Sequence, residues 1–215
     1  MSRIGGTGKT VISPRRFDPI AWQGVATANL SDVIGRVGAM DGGIRRLCGT
    51  TVAGPSHTVM TGTGDSSSIH RALTDAEPGS VLVVDAQGGT ARAVWGAVMT
   101  TAAIERGIVG AVIDGAVRDI DEIASMDFPV FARATCPAGP HKGFRGVHGV
   151  PVQCGGVVTN PGDIVVGDAD GVTVVPADRA EAALAEVEAV VARERQWLAR
   201  IRAGETSAEI LGLDQ

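Results

Sequence analysis

A chain of 215 residues, 44% of them apolar and 20% charged, is long enough for one sizeable core, and its net charge of −5 leaves no basic field with which to hold a phosphate backbone. Three Trp, four Phe and no Tyr are too few for a base-stacking platform, so nucleic acid is not an expected partner. No apolar run reaches the roughly 18 residues of a membrane span, the N-terminus lacks a signal-peptide core, and Cys48, Cys136 and Cys154 form neither a CxxC pair nor a zinc spacing, so a soluble protein of the reducing cytoplasm is expected.

In chain order, the first feature is Gly5-Gly6-Thr7-Gly8-Lys9-Thr10, which imitates a phosphate-binding loop. That motif needs a glycine five residues before Gly8, where Arg3 stands, and no strand precedes it. Residues 1–16 read instead as an N-terminal arm of a single domain spanning 1–215. A helix is expected over 30–37, and strands over 58–61 and 81–85. The second strand is a β-branched run suited to burial on both faces, ended by Gly88-Gly89. Ser66-Ser67-Ser68, after Gly64-Asp65, reads as the cap of a helix carrying His70.

Residues 95–106 read as a helix stopped by Gly107. A buried strand over 109–113 follows, with Asp114-Gly115 as its turn, then a short helix over 118–126 and a strand over 129–133. Pro161-Gly162-Asp163 leads into a hairpin of 164–166 against 172–175. The last long helix covers 178–203, with Asp178 as N-cap and Glu181 in the capping-box position. Its apolar stripe runs Leu184, Val187, Val191, then position 194, Leu198 and Ile201. Position 194 is Glu, a carboxylate either solvated at an interface edge or facing a cation.

Among groups that could do chemistry, His57, His70, His141 and His148 have no histidine partner at helical metal-binding spacing, and no GxSxG elbow occurs. Arg118-Asp119 is more informative, because it follows a buried strand where a new helix begins, the place where open α/β sheets hold ligands. There Asp119 can hold a hard divalent ion and Arg118 can fork onto a carboxylate or enolate oxygen; a simple cap pair at a helix start is the alternative. Upstream, Gly96 opens a helix whose first N–H groups can grip an anion.

Gly96…Gly107…Val112-Ile113-Asp114-Gly115…Arg118-Asp119-x-x-Glu122, with Pro151-Val-Gln-Cys-Gly-Gly156 and Asn160-Pro-Gly-Asp-Ile-Val-Val166, resembles the RraA-like family. That family includes the class II 4-hydroxy-4-methyl-2-oxoglutarate/4-carboxy-4-hydroxy-2-oxoadipate aldolases and the protein regulators of ribonuclease E. The resemblance implies an α/β fold, an αββα sandwich of the swivelling-domain type with a long C-terminal helix, assembled as a homotrimer or hexamer with sites between subunits. It implies that Asp119 ligates Mg²⁺ or Mn²⁺, and that Arg118 contacts the carboxylate and forming enolate of pyruvate. It also implies that Gly96, Ala97, Val98 and Met99 offer backbone amides to the same group, and that Glu194 reaches the metal's outer shell from a neighbouring subunit.

The activity implied is metal-dependent cleavage of a 4-hydroxy-2-oxo-dicarboxylate to pyruvate, with oxaloacetate decarboxylation through the same enolate. The alternative is a non-catalytic protein-binding regulator, although the ribonuclease E inhibitors lack the metal-binding acid and this chain keeps Asp119. Two positions depart from the family pattern: Ala97 stands where an acid is usual, and Ser66 where Asn is common. Loss of such an outer-shell carboxylate costs about 10–100-fold in metal affinity or activity, and Asp85, Glu122 and His141 are the substitutes to consider. A Schiff-base route fits poorly, since Lys9 and Lys142 are the only lysines and neither lies in a recognisable buried strand.

Overall fold

The Val- and Ile-rich runs of the chain become strands whose alternate residues enter different cores. The computed structural model describes residues 17–143 and 146–213. The N-terminal arm and its phosphate-loop look-alike lie outside the described residues. The elements are α1 (Thr27–Val33), β1 (Arg45–Cys48), β2 (Val52–Met60), α2 (Ser67–Asp75), β3 (Val81–Trp95), α3 (Ala97–Glu105), β4 (Gly110–Val117) and α4 (Ile120–Ser125). They continue with β5 (Val130–Thr135), β6 (Val147–His148), β7 (Val152–Cys154), β8 (Val157–Thr159), β9 (Ile164–Gly167), β10 (Val172–Val175), α5 (Ala180–Arg202) and α6 (Ser207–Leu211).

The main sheet runs β1-β5-β4-β3-β2-β9-β10, with β6 added beside β2. Strands β2, β3, β4 and β5 are mutually parallel, and the other pairings are antiparallel. Strand β2 is the pivot. Its first half, 52–55, pairs with β9 and its second half, 56–60, with β3, so the sheet curls over on itself.

In β3, Leu82 and Val84 enter a core covered by α2, α3 and α4, whereas Val81 and Val83 enter a second core shared with Val165, Val172 and Val174 of the curled-over hairpin. The opposite face of that hairpin, with Ile164, Val166 and Val175, packs on Leu30 of α1 and on Ala183 and Val187 of α5. The order helix, sheet, sheet, helix is an αββα sandwich, and each fully buried Val or Leu adds about 1.5–3 kcal/mol to it. The two sheets approach so closely that a Cβ on Gly167 would lie 2.7 Å from Phe131 Cζ.

The departures from the expected elements have local causes. Helix α1 starts at Thr27 because Asp168, from the β9–β10 turn, accepts hydrogen bonds from the Thr27 N–H (2.9 Å) and Oγ1 (2.7 Å), and it stops before Gly35 (φ 78°). Gly88-Gly89 does not end β3. Gln87 and Gly88 adopt positive φ (58° and 67°) as an irregularity in the pairing, after which the strand resumes as far as Trp95.

Asp114-Gly115 is likewise inside β4 rather than a turn, since a Cβ on Gly115 would meet Ala86 Cβ at 2.9 Å and Asp114 is buried with partners of its own. Ser66 occupies the N-cap position of α2 without a side-chain cap bond; Asp65 Oδ1 accepts from the Ser67 N–H (2.8 Å) instead. Asp178 is not the cap of α5 either. Residues 176–179 form a turn closed by Arg179 N–H to Pro176 O (2.9 Å), so Arg179 takes the N-cap position. Among the described residues no helix is long and apolar enough to cross a membrane.

Candidate active site at the ends of β3 and β4

Strands β3 and β4 leave the sheet side by side. Trp95 is in register with Val117, and the Arg118 N–H donates to Trp95 O (3.0 Å). The next residues therefore sit together: Gly96 leads into α3, and Asp119 leads into α4. Trp95 anchors the first exit, with its ring buried and stacked on Phe128. Its indole N–H donates to Thr100 Oγ1 (2.8 Å), and Thr100 Oγ1 donates to Gly96 O (3.2 Å).

Asp119 has left-handed dihedrals (φ 61°, ψ 37°), a conformation costing a non-glycine residue about 1–3 kcal/mol. That cost accompanies a defined carboxylate. Oδ2 accepts from the Ala97 N–H (3.1 Å) and lies 3.5 Å from Arg118 Nε, whereas Oδ1 has no hydrogen-bond partner among the described residues. Gly96 is required by this arrangement, because a Cβ there would stand 2.5 Å from Asp119 Oδ2 and 3.2 Å from Arg118 Cγ. Neither side chain is sealed off: Arg118 is 43% and Asp119 36% exposed.

Gly96, Val98, Met99, Arg118 and Asp119 line one cavity of about 270 Å³. Ala97 is buried beside it, with its N–H committed to Asp119, and the Met99 N–H turns back to Gly96 O (3.1 Å). The cavity's remaining polar walls are Ser66 and His70 from the α2 end and Lys142 from the loop before β6. The Ser66 hydroxyl is fully buried without a hydrogen-bond partner among the described residues. The His70 imidazole is held below its ordinary pKa, first by burial and then by the charge of Lys142. Lys142 is exposed, unlike the desolvated amine that a Schiff base requires.

A second charged group lies on the other face of the sheet. Buried Asp114 accepts from Arg133 Nε (2.5 Å) and from the Gly155 N–H (2.8 Å), and the same guanidinium forks onto Asp41 (2.9 and 3.2 Å). The fork onto Asp41 lowers that carboxyl's pKa, and both carboxylates make Arg133 hold its proton more firmly. This ties the loop holding Asp41 and the β7–β8 ribbon to the sheet, with every carboxylate oxygen of Asp114 engaged.

A family model described as Aldolase/RraA, of the RraA-like proteins, matches residues 27–174. The chain belongs to the RraA-like family. Over 130 residues it is 45% identical to a Halalkalibacterium halodurans protein provisionally named 4-hydroxy-4-methyl-2-oxoglutarate aldolase; the match covers 60% of this chain and 62% of that protein's length. Among solved structures, an uncharacterised protein of Pseudomonas syringae pv. tomato superposes with a TM-score of 0.76 at 30% identity, over 87% of this chain and 92% of the other. The RNA-processing inhibitor RraA of Thermus thermophilus superposes with a TM-score of 0.64 at 30% identity, over 70% of this chain and 92% of that one.

Within this RraA-like chain, Glu194 is not part of the Arg118–Asp119 cavity. It lies on α5, and its Oε2 accepts from Asn29 Nδ2 of α1 (2.9 Å). Asp85, Glu122 and His141 do not line the cavity either. His70 and Lys142 were legible in the sequence only as a residue of a capped helix and as an isolated lysine. Their shared cavity arises because the loop after β5 returns beside the start of α2, where the Ser66 N–H donates to His141 O (3.1 Å), a contact across 75 residues of chain with no local signature.

Proposed function

We propose that this RraA-like protein is a divalent-metal-dependent lyase that cleaves 4-hydroxy-2-oxo-dicarboxylates of the 4-hydroxy-4-methyl-2-oxoglutarate type to pyruvate. The observation that carries the reading is the adjacency of Arg118 to an Asp119 carboxylate with one oxygen unengaged among the described residues, at the mouth of a cavity kept open by Gly96. The donor set suits Mg²⁺ or Mn²⁺. Such ions keep several waters and accept one or two carboxylates plus substrate oxygens, so one free Asp119 oxygen in a half-open site suffices where no cluster of three acidic, His or Cys ligands occurs among the described residues. When bound there, the ion supplies Lewis-acid stabilisation of the charge that develops on the 2-oxo oxygen.

The protein's own part is to orient and to neutralise. Arg118 pairs with the carboxylate of the pyruvyl half and stabilises the enolate as the C3–C4 bond breaks. Asp119 is aimed by the Ala97 N–H and by its left-handed backbone. Decarboxylation of oxaloacetate passes through the same enolate and needs the same groups. Leu198 and Ile201, 49% and 42% exposed on the stripe that contains Glu194, support an α5 face that meets a neighbouring subunit in a homo-oligomer, a trimer or hexamer, from which Glu194 would approach the metal's outer shell.

The test is pyruvate release from 4-hydroxy-4-methyl-2-oxoglutarate and from oxaloacetate with Mg²⁺ or Mn²⁺, repeated after chelation and in Arg118→Ala and Asp119→Asn. Chelation and both variants are expected to reduce turnover by about 10²–10³-fold or more, the loss of one charge-stabilising group or more. Turnover that survives chelation, or full turnover in Arg118→Ala, refutes the proposal. A protein that releases no pyruvate from either substrate is left with the protein-binding role of the RNA-processing inhibitors.

A further inference from the structure

Aldol cleavage, the reading on which this inference rests, also requires a group that takes the proton of the 4-hydroxyl and returns one to the enolate carbon. The cavity narrows the choice. Its titratable walls among the described residues are His70, Arg118, Asp119 and Lys142. In that reading Arg118 pairs with the substrate carboxylate and Asp119 with the ion, Lys142 is an exposed cation, and position 97 is an alanine.

His70 remains. It stands four residues after Ser66, one helical turn along α2, so that both reach the cavity from one face, and the Ser66 hydroxyl is buried without a partner among the described residues. We propose that His70 is the proton shuttle of this active site. As the C3–C4 bond breaks, the imidazole nitrogen takes the 4-hydroxyl proton, and C4 becomes the carbonyl of the departing 2-oxo acid. The electron pair of the broken bond passes into the C2–C3 enolate. The imidazolium then gives its proton to C3, forming the methyl group of pyruvate. The proton is returned within the cycle and no co-reactant is consumed.

The surroundings suit a base that must be neutral before the reaction. Burial and the ammonium of Lys142 disfavour the imidazolium, and of the charged groups that line the cavity among the described residues two, Lys142 and Arg118, are positive against one carboxylate, Asp119. Both effects favour the neutral imidazole, so the activity should rise with pH along a limb lying below the ordinary histidine value of about 6.5.

The experiment measures turnover and deuterium exchange into the pyruvate methyl group, with Mg²⁺ present, in the native protein, Asp119→Asn, His70→Asn and His70→Gln. Melting temperatures verify folding. Both His70 variants are expected to lose about 10²–10³-fold in kcat, the usual share of a general acid–base, with KM within about threefold of native. Their acid limb should be absent, and in a third variant, His70→Ala, added imidazole should restore part of the exchange. Native-like kcat with an unchanged pH profile in His70→Asn, alongside exchange that Asp119→Asn abolishes, overturns the shuttle and leaves the lyase standing. A native protein with no metal-dependent exchange overturns both.

Discussion

Gly96→Ala separates the needs of the site from those of the fold. The dihedrals of Gly96 (φ −169°, ψ −172°) are extended backbone that alanine adopts without strain, so the perturbation is purely steric. The new methyl carbon would stand 2.5 Å from Asp119 Oδ2, nearly 1 Å inside an ordinary carbon–oxygen contact, and 3.2 Å from Arg118 Cγ. Thr100, itself held by the Trp95 indole N–H, donates to the Gly96 carbonyl, so the backbone has little room to retreat and the carboxylate must move. Asp119 is 36% exposed and can swing outward, breaking one hydrogen bond from the Ala97 N–H; the cost to folding is about 1 kcal/mol. A misplacement of about 1 Å in a catalytic group costs about 10²-fold in rate. Thermal unfolding should therefore shift by only a few degrees, while Mg²⁺-dependent pyruvate release falls about a hundredfold and the apparent metal affinity weakens. Full activity in Gly96→Ala would show that the Asp119 carboxylate is not where the chemistry needs it.

Arg133→Met removes the cation that neutralises buried Asp114. Breaking such a pair leaves an uncompensated charge worth about 3 kcal/mol, near the lower end of the usual range because the guanidinium is 27% exposed. Denaturant titration should show that loss, and Asp114→Asn in the same background should recover part of it; an unchanged midpoint refutes the pairing as a structural tie. Stability should also fall on mild acidification. His57, lowered by burial and by the charge of His148, and His70, lowered by burial and Lys142, bind protons more weakly folded than unfolded. Their penalty is absent above about pH 6.5 and grows as pH falls from there through their lower folded values. Melting temperatures followed from pH 7.5 to 5 should decline, and less steeply in His57→Gln; a flat profile in the native protein counts against it.

Much of the scaffold could be read from residue patterns. Val81-Leu82-Val83-Val84, the Gly107 stop and the hairpin after Asp163 appear where their local chemistry places them, and Arg118-Asp119 emerges at a strand end beside Gly96. Glycine pairs were misleading where tertiary contact overrode turn propensity. Gly88 supplies a left-handed φ within β3, and Gly89 and Gly115 are small because Thr63 and Ala86 crowd them, not because the chain reverses. The rest of the site was hidden for a different reason. Ser66, His70 and Lys142 share no periodicity or spacing with Arg118, and only the return of the loop after β5 brings them to one cavity.

The bond from Thr27 to Asp168 bears on how the chain is made. A seven-residue helix cannot hold itself together in water, and α1 takes its cap from a residue synthesised 141 positions later. During translation α1 must wait, unformed, until the β9–β10 turn has left the ribosome. The outer α1–α5 layer is thus completed last, after the parallel strands and the cavity they carry can already be in place.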